Sequence, residues 1–170
     1  MEEKTMKRIA VLALALVMML GALVACGNDI HAKSEGVMTH AEYMAAEMQS
    51  EVVVEAFVQG HQSWWDNKIT VYLQDKEGGY FAYERTCSEE DSAKLVKGQK
   101  IRVTGYKAAW KGEVEITDCT FEVLKGSWVA SATDLTAKLG TDDLINYQNR
   151  LATFKGLTVK SVTYKNNEPG

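Results

Sequence analysis

The chain has 170 residues, 46% hydrophobic and 25% charged, with 19 basic and 23 acidic side chains and a net charge of −4. That length suits one domain with something left over. A net acidic balance has little to attract phosphate backbones, which argues against general nucleic-acid binding.

The first 26 residues set the expected compartment. Lys7 and Arg8 precede an apolar run from Ile9 to Ala25 interrupted only by Gly21. These are the charged and hydrophobic regions of an export signal, although Glu2 and Glu3 make its start less basic than usual. The run ends in Leu23-Val24-Ala25-Cys26, which resembles the bacterial lipobox, where small residues before a cysteine fit signal peptidase II. The resemblance implies diacylglyceryl transfer to the Cys26 thiol, cleavage before Cys26, and anchoring to the outer face of the cell membrane by acyl chains. At about 0.8 kcal/mol per buried methylene, a multiply acylated cysteine holds firmly. The alternatives are an ordinary signal peptide, or a membrane span of marginal length with a chance cysteine.

Removal of residues 1–25 takes three basic and two acidic residues, leaving 145 residues and a net charge of −5. Residues 26–37 are polar and short, and read as a tether. Cys87 and Cys119 remain. An exported protein could oxidise them, but they follow no metal or redox spacing, so a disulfide and two independent buried thiols both stay open.

Thr39-His40-Ala41-Glu42 has capping-box spacing and predicts a helix running to Met48. Val52, Val54, Ala56 and Val58 alternate with more polar neighbours as a first strand. After a turn containing Trp64 and Trp65, Ile69, Val71 and Leu73 form a second strand, closed by Asp75-Lys76-Glu77-Gly78-Gly79. Tyr80 to Tyr83 return as a third. Ser88-Glu89-Glu90-Asp91 caps a short helix ending at Gly98. Ile101, Val103 and Gly105 alternate in a fourth strand, and Lys111-Gly112 turns into a fifth with Val114 and Ile116. Apolar parity switches between Ile116 and the pair Phe121 and Val123, which predicts a bulge around Asp118 to Thr120.

Three strands, a short helix and two strands are the order of a five-stranded OB-fold Greek-key barrel, so the expected class is mainly β with short helices. Gly98-Gln99-Lys100-Ile101-Arg102-Val103-Thr104-Gly105 resembles the opening of strand four in bacterial OB domains, where the second glycine sits at a tightly curved barrel position. The likeness spans roughly residues 50–124, within an expected domain of 38–126 that includes the preceding helix. More narrowly, Ser63-Trp64-Trp65 and Val103-Thr104-Gly105-Tyr106 give the chain a resemblance to uncharacterised OB-fold lipoproteins of gut Firmicutes. That resemblance implies a fold and an address, and no known activity.

Residues 127–170 read as a helix-strand extension. Thr141-Asp142-Asp143 caps a predicted helix through Gln148, and Ala152 to Val162 alternate like a strand. Val54-Glu55-Ala56-Phe57 and Phe154-Lys155-Gly156-Leu157 correspond at an offset of 100. Either the extension opens a second OB module in a longer protein, or its strand pairs with an edge of the first barrel, or the likeness is accidental.

No catalytic constellation is visible, and the expectation is a protein that is not an enzyme and uses no cofactor. His31, His40 and His61 are scattered without metal-ligand spacing. Ser63 and Ser88 lack nucleophile context, and no glycine-rich phosphate loop occurs. Asp66, Asp75, Glu77, Glu113 and Glu115 are explained as solvated strand faces and turns.

The aromatic set says more. In an OB fold the loops between strands one and two and between four and five flank the customary ligand face. Trp64 and Trp65 lie in the first, Tyr106 and Trp110 at the second, and Tyr72, Tyr80 and Tyr83 on strands two and three, where alternation keeps some inward. The candidate ligand-binding residues are Trp64, Trp65, Tyr72, Tyr83, Tyr106 and Trp110, with one of the paired indoles plugging the barrel and the other outside. The working expectation is a patch shared by Trp64, Trp65 and Trp110. The function expected is a membrane-anchored binding or adaptor module for a protein, peptide or glycan. A structural spacer is one alternative, and an oligonucleotide-binding domain using Lys68, Lys76, Arg85, Lys107 and Lys111 is the other.

Overall fold

Alternation places Val52, Val54, Ala56 and Val58 on one face of β1 (Glu51–His61), and each is fully buried. Ile69, Val71 and Leu73 do the same on β2 (Lys68–Gln74), and Tyr80 and Ala82 on β3 (Gly79–Thr86). Ile101 and Val103 of β4 (Gln99–Trp110) and Ile116 of β5 (Glu113–Ser127) complete the core. In this computed structural model, residues 29–162, 164–165 and 168–169 are described. The leader and Cys26 lie outside the described residues. Asp29 to Ala32 form a turn of their own, with the Ala32 amide donating to the Asp29 carbonyl at 2.9 Å.

The five strands close in the order β1-β2-β3-β5-β4. All neighbours are antiparallel except β3 and β5, which run parallel and meet at Ala82 and Ile116. A short helix, α2 (Glu89–Ser92), sits between β3 and β4, capped by the Ser88 hydroxyl. This is the OB-fold barrel that the element order predicts. The predicted bulge is present. Thr104 pairs with Thr120 but Tyr106 with Thr117, so β5 carries one extra residue opposite Gly105, and Asp118 adopts φ 46°. A Cβ on Gly105 would lie 2.5 Å from the Cys119 Cβ and 2.7 Å from the Thr117 carbonyl, so the bend requires glycine.

Helix α1 (His40–Ala45) begins with the expected capping box between Thr39 and Glu42. It ends earlier than Met48, because Ala46 turns to ψ 148°. The buried Lys107 ammonium donates to the Met44 and Ala46 carbonyls at 2.6 and 2.7 Å, satisfying the groups that the last turn leaves open. Two residues read as tether, Lys33 and Ser34, are fastened to the barrel instead. Lys33 Nζ reaches the Glu55 carbonyl at 2.7 Å and the Asp75 carboxylate.

The extension departs from its predicted elements. The Thr141 hydroxyl donates to the Lys138 carbonyl and caps nothing, and Asp142–Tyr147 is a 3-10 segment, not an α-helix. Only Ala152–Thr153 (β7) of the expected strand is paired, and its partner is Thr133–Asp134 (β6), not the barrel. The closed barrel has no free edge to offer. The extension instead lies over the outer wall. Trp128 packs on Phe57 at 5.5 Å between centroids, and the Ala130 amide donates to Gln59 Oε1 at 2.9 Å. Further on, Gln74 Oε1 accepts from the Leu151 amide at 2.7 Å, and Gln148 and Asn149 hydrogen-bond both backbone groups of Val114. A Cβ on Gly79 would sit 2.3 Å from the Asn149 backbone, so glycine admits this crossing.

Candidate functional site

The β1–β2 hairpin presents the two adjacent indoles in opposite senses. Trp64 packs against the core, and its Nε1 donates to the Cys87 carbonyl at 2.9 Å. Trp65 is 80% exposed. It does not dangle. Its amide donates to the Lys68 carbonyl at 3.0 Å and its carbonyl accepts from the Lys68 amide at 2.9 Å. Asp66 and Asn67 between them hold φ 50° and 56°, the left-handed pair of a two-residue hairpin turn. The Asn67 carbonyl accepts from the Cys87 amide at 2.9 Å and ties the turn to the end of β3. The exposed ring therefore stands on a fixed base.

Beside it lies a cleft of about 280 Å³ lined by Trp65 and by Gln62, Ser63, Asp66, Lys68 and Glu84 among others. Lys68 and Glu84 pair at 2.9 Å, and the Tyr83 hydroxyl donates to the other Glu84 oxygen at 3.0 Å. The Lys68 hydrogen bond, with that of Tyr83, holds the Glu84 carboxyl below its usual range. The same carboxylate raises the Tyr83 hydroxyl. Gln62 Nε2 donates to the Tyr72 hydroxyl at 3.4 Å, and Tyr72, Phe81 and Tyr83 form a row with centroids 5.0 and 6.0 Å apart. Cleft and row are thus continuous through Gln62 and Glu84. Phe81 is not among the predicted residues; alternation with Tyr80 and Ala82 turns it away from the barrel interior, yet it is only 6% exposed. Tyr80 is fully buried.

Tyr106 and Trp110 are also exposed, at 48% and 66%. The register puts them elsewhere. Tyr106 pairs with Glu51 and Thr117 on the β1–β4–β5 wall, and Trp110 pairs with Glu113, three residues before the Ile116 that meets Ala82. Trp65 bridges Lys68, which pairs with Thr86 at the far end of β3. At about 3.3 Å per residue, the two hairpin tips are separated by the length of β3, on the order of 20 Å. Trp64, Trp65 and Trp110 therefore do not form one patch. The structure brings together Trp65, Tyr83 and Tyr72, with the partly buried Trp64 beside them as an anchor on the core.

The cations considered for a basic groove are largely engaged. Lys68 is paired with Glu84, the Arg85 guanidinium lies 3.9 Å over the Phe121 ring, and Lys111 lies 5.6 Å over Trp110. Lys107 is buried under α1, where desolvation lowers its pKa. Lys76 is exposed. Other ionisable groups serve the fold. Glu55, fully buried, accepts from Arg102 Nη2 at 2.8 Å and pairs with Lys100 at 3.2 Å. His40 is half-buried. Its ring packs on Tyr80 at 5.2 Å, and desolvation lowers its pKa. Cys87 and Cys119 are buried free thiols, and burial pushes Cys119 up to about 11. Among the described residues, no group of three or more His, Cys, Asp or Glu is placed to hold a metal ion. No described helix is long and apolar enough to cross a membrane.

No family model and no curated protein matches the chain. Solved structures with similar folds include the asparaginyl- and aspartyl-tRNA synthetases of Entamoeba histolytica, each 17% identical, with TM-scores of 0.43 and 0.45. They cover 51% and 56% of this chain, which spans only 23% and 22% of theirs. A Replication Protein A heterotrimer bound to single-stranded DNA is 15% identical over 47% of this chain and 61% of that one, with a TM-score of 0.39. Likenesses at this level add nothing to the fold that the strand order already defines.

Proposed function

We propose that the protein is a lipid-anchored, non-catalytic binding module, held at the outer face of the cell membrane through Cys26 and engaging a protein, peptide or glycan through the β1–β2 hairpin. The address rests on Leu23-Val24-Ala25-Cys26 following the apolar leader. The observation that carries the binding reading is Trp65, 80% exposed on a turn locked by two backbone hydrogen bonds and two left-handed residues. Left-handed non-glycine residues are uncommon, and an indole on such a support is pre-organised for contact. Oligonucleotide binding has weaker support, since of the cations that would line a groove Lys68 is paired, Arg85 and Lys111 lie over aromatic rings and Lys107 is buried.

Radical footprinting of tryptophans tests this without knowledge of the ligand. Trp65 is expected to oxidise more slowly in intact cells than in the purified full chain, while Trp110 oxidises at the same relative rate in both. Equal behaviour of the two indoles in cells would remove the case for the hairpin as a binding surface. Metabolic labelling with palmitate, present in the wild type and absent from Cys26→Ala, tests the anchor separately.

A further inference from the structure

Building on that reading, we infer that the Trp65 cleft takes a neutral glycan, one sugar ring stacking on the indole while its hydroxyls bond to the polar groups around it. The groups at hand match such a ligand. Ser63 Oγ, Gln62 Oε1 and the Asp66 carboxylate line the cleft and have no hydrogen-bond partner among the described residues. Glu84 and Lys68 add a fixed acceptor and donor, held to each other at 2.9 Å. A sugar ring presents an apolar C–H face and a rim of hydroxyls that both donate and accept. An indole face with carboxylate, amide and hydroxyl groups at its edge complements both. The volume, about 280 Å³, is just under the range of pockets for drug-sized ligands. It suits one ring of a longer chain, which can continue toward Tyr83 and Tyr72.

Charge decides against the other occupants of an exposed tryptophan. The hairpin carries Asp66, and Glu84 stands beside it. Because Asn67 binds the Cys87 amide, helix α2 with Glu89, Glu90 and Asp91 starts immediately beyond the turn. The cations here are engaged: Lys68 with Glu84, Lys94 with Asp91 and Glu90, and Arg85 stacked on the Phe121 ring. This end of the barrel repels phosphate, whether of a nucleic acid or of an anionic lipid headgroup. An apolar peptide side chain finds few apolar walls, since Trp65 and Ile69 are the two nonpolar residues of the lining.

The test uses the full chain in micelles of a detergent without a sugar headgroup, first on an array of neutral glycans. The best binders are then titrated by intrinsic fluorescence, taking the difference between wild type and Trp65→Phe as the signal of Trp65. The expected result is saturable binding to at least one neutral glycan, with a change in Trp65 emission. Trp65→Ala should weaken it at least about tenfold, a loss equivalent to one stacked ring. Trp65→Phe should retain part of the affinity, and Trp110→Ala all of it. Affinity should be nearly constant from about 50 to about 500 mM salt, unlike phosphate recognition. Absence of any neutral glycan binding overturns the ligand class. So does Trp65-dependent binding to a thymidine 20-mer or to phosphatidylglycerol vesicles in place of the glycan, or an equal loss with Trp110→Ala. If Trp65 is nonetheless protected in cells, the module reading stands and only the glycan falls.

Discussion

The two ends of the barrel are closed by different means. Where β1 and β3 begin and β4 finishes, α1 lies across the opening with several layers of contact. Tyr43, 1% exposed, packs 5.2 Å from Tyr80, the His40 ring meets Tyr80 as well, and Lys107 ties down the helix end. Lys33 and Tyr80 then converge on the Asp75 carboxylate. At the opposite end Trp64 packs on the core and bonds the Cys87 carbonyl, Phe121 packs on the core under the Arg85 guanidinium, and Trp65, next to Trp64, is left in water. The contrast teaches that exposure here follows the turn and not the residue type. Two identical side chains, one position apart, serve closure and display because an extended backbone sends them to opposite sides.

The largest effect should come from opening the sealed end. Tyr43→Ala is expected to cost about 3–5 kcal/mol, read as a shifted urea midpoint. Tyr43→Phe should cost nothing or stabilise slightly, because the buried hydroxyl has no hydrogen-bond partner among the described residues. A loss of less than about 1 kcal/mol in the alanine variant would mean that α1 is not what closes this end.

Asp75 comes next. Burial pushes its carboxyl up, but Lys33, the Gly78 amide and the Tyr80 hydroxyl together outweigh that and hold it below the usual range. A depressed carboxyl contributes stability that is fully present above its unfolded pKa and is lost as pH falls through the folded one. The wild type should therefore lose stability below about pH 4. Asp75→Asn should be about 3 kcal/mol less stable at neutral pH, where Lys33 loses its ion-pair partner. It should also show a shallower decline in acid. An identical acid profile in the variant would assign the decline to other carboxylates.

Much of this contrast is legible in the residues, and the remainder fails for identifiable reasons. Alternation in five segments gives the barrel, and the parity switch after Ile116 locates the bulge opposite Gly105. Lys107 shares parity with Ile101, Val103 and Gly105, so its burial was signalled, but a lysine at an inward position reads as solvated until a helix end is found above it. Phe57 and Gln59 fall on the outward face of β1 and are buried all the same, a sign that something covers that wall. What covers it, the extension from Trp128 onward, is held by contacts such as Gln148 with Val114 and Leu151 with Gln74. No local pattern encodes partners 34 and 77 residues apart. The same limit hides which indole turns inward, since the deciding acceptor is the Cys87 carbonyl just beyond the end of β3.

The smallest effects test the paired indoles directly. Trp64→Phe keeps a ring in the seal but removes the Nε1 donor, leaving the Cys87 carbonyl without that bond. About 1–2 kcal/mol should be lost. Trp65→Ala should change stability by no more than about 0.5 kcal/mol, the usual span for surface substitutions. The reason is specific to the hairpin. Both bonds that fix residue 65 to Lys68 are made by backbone atoms, and the two left-handed positions are Asp66 and Asn67, so truncating the indole touches none of them. A ring that is 80% exposed also gives up little buried surface. If Trp65→Ala instead lowers the urea midpoint as far as Trp64→Phe does, the ring is packed in solution and belongs to the seal. A neutral result leaves Trp65 with no part in holding the barrel together, and its place on so rigid a support is then accounted for by what it meets outside.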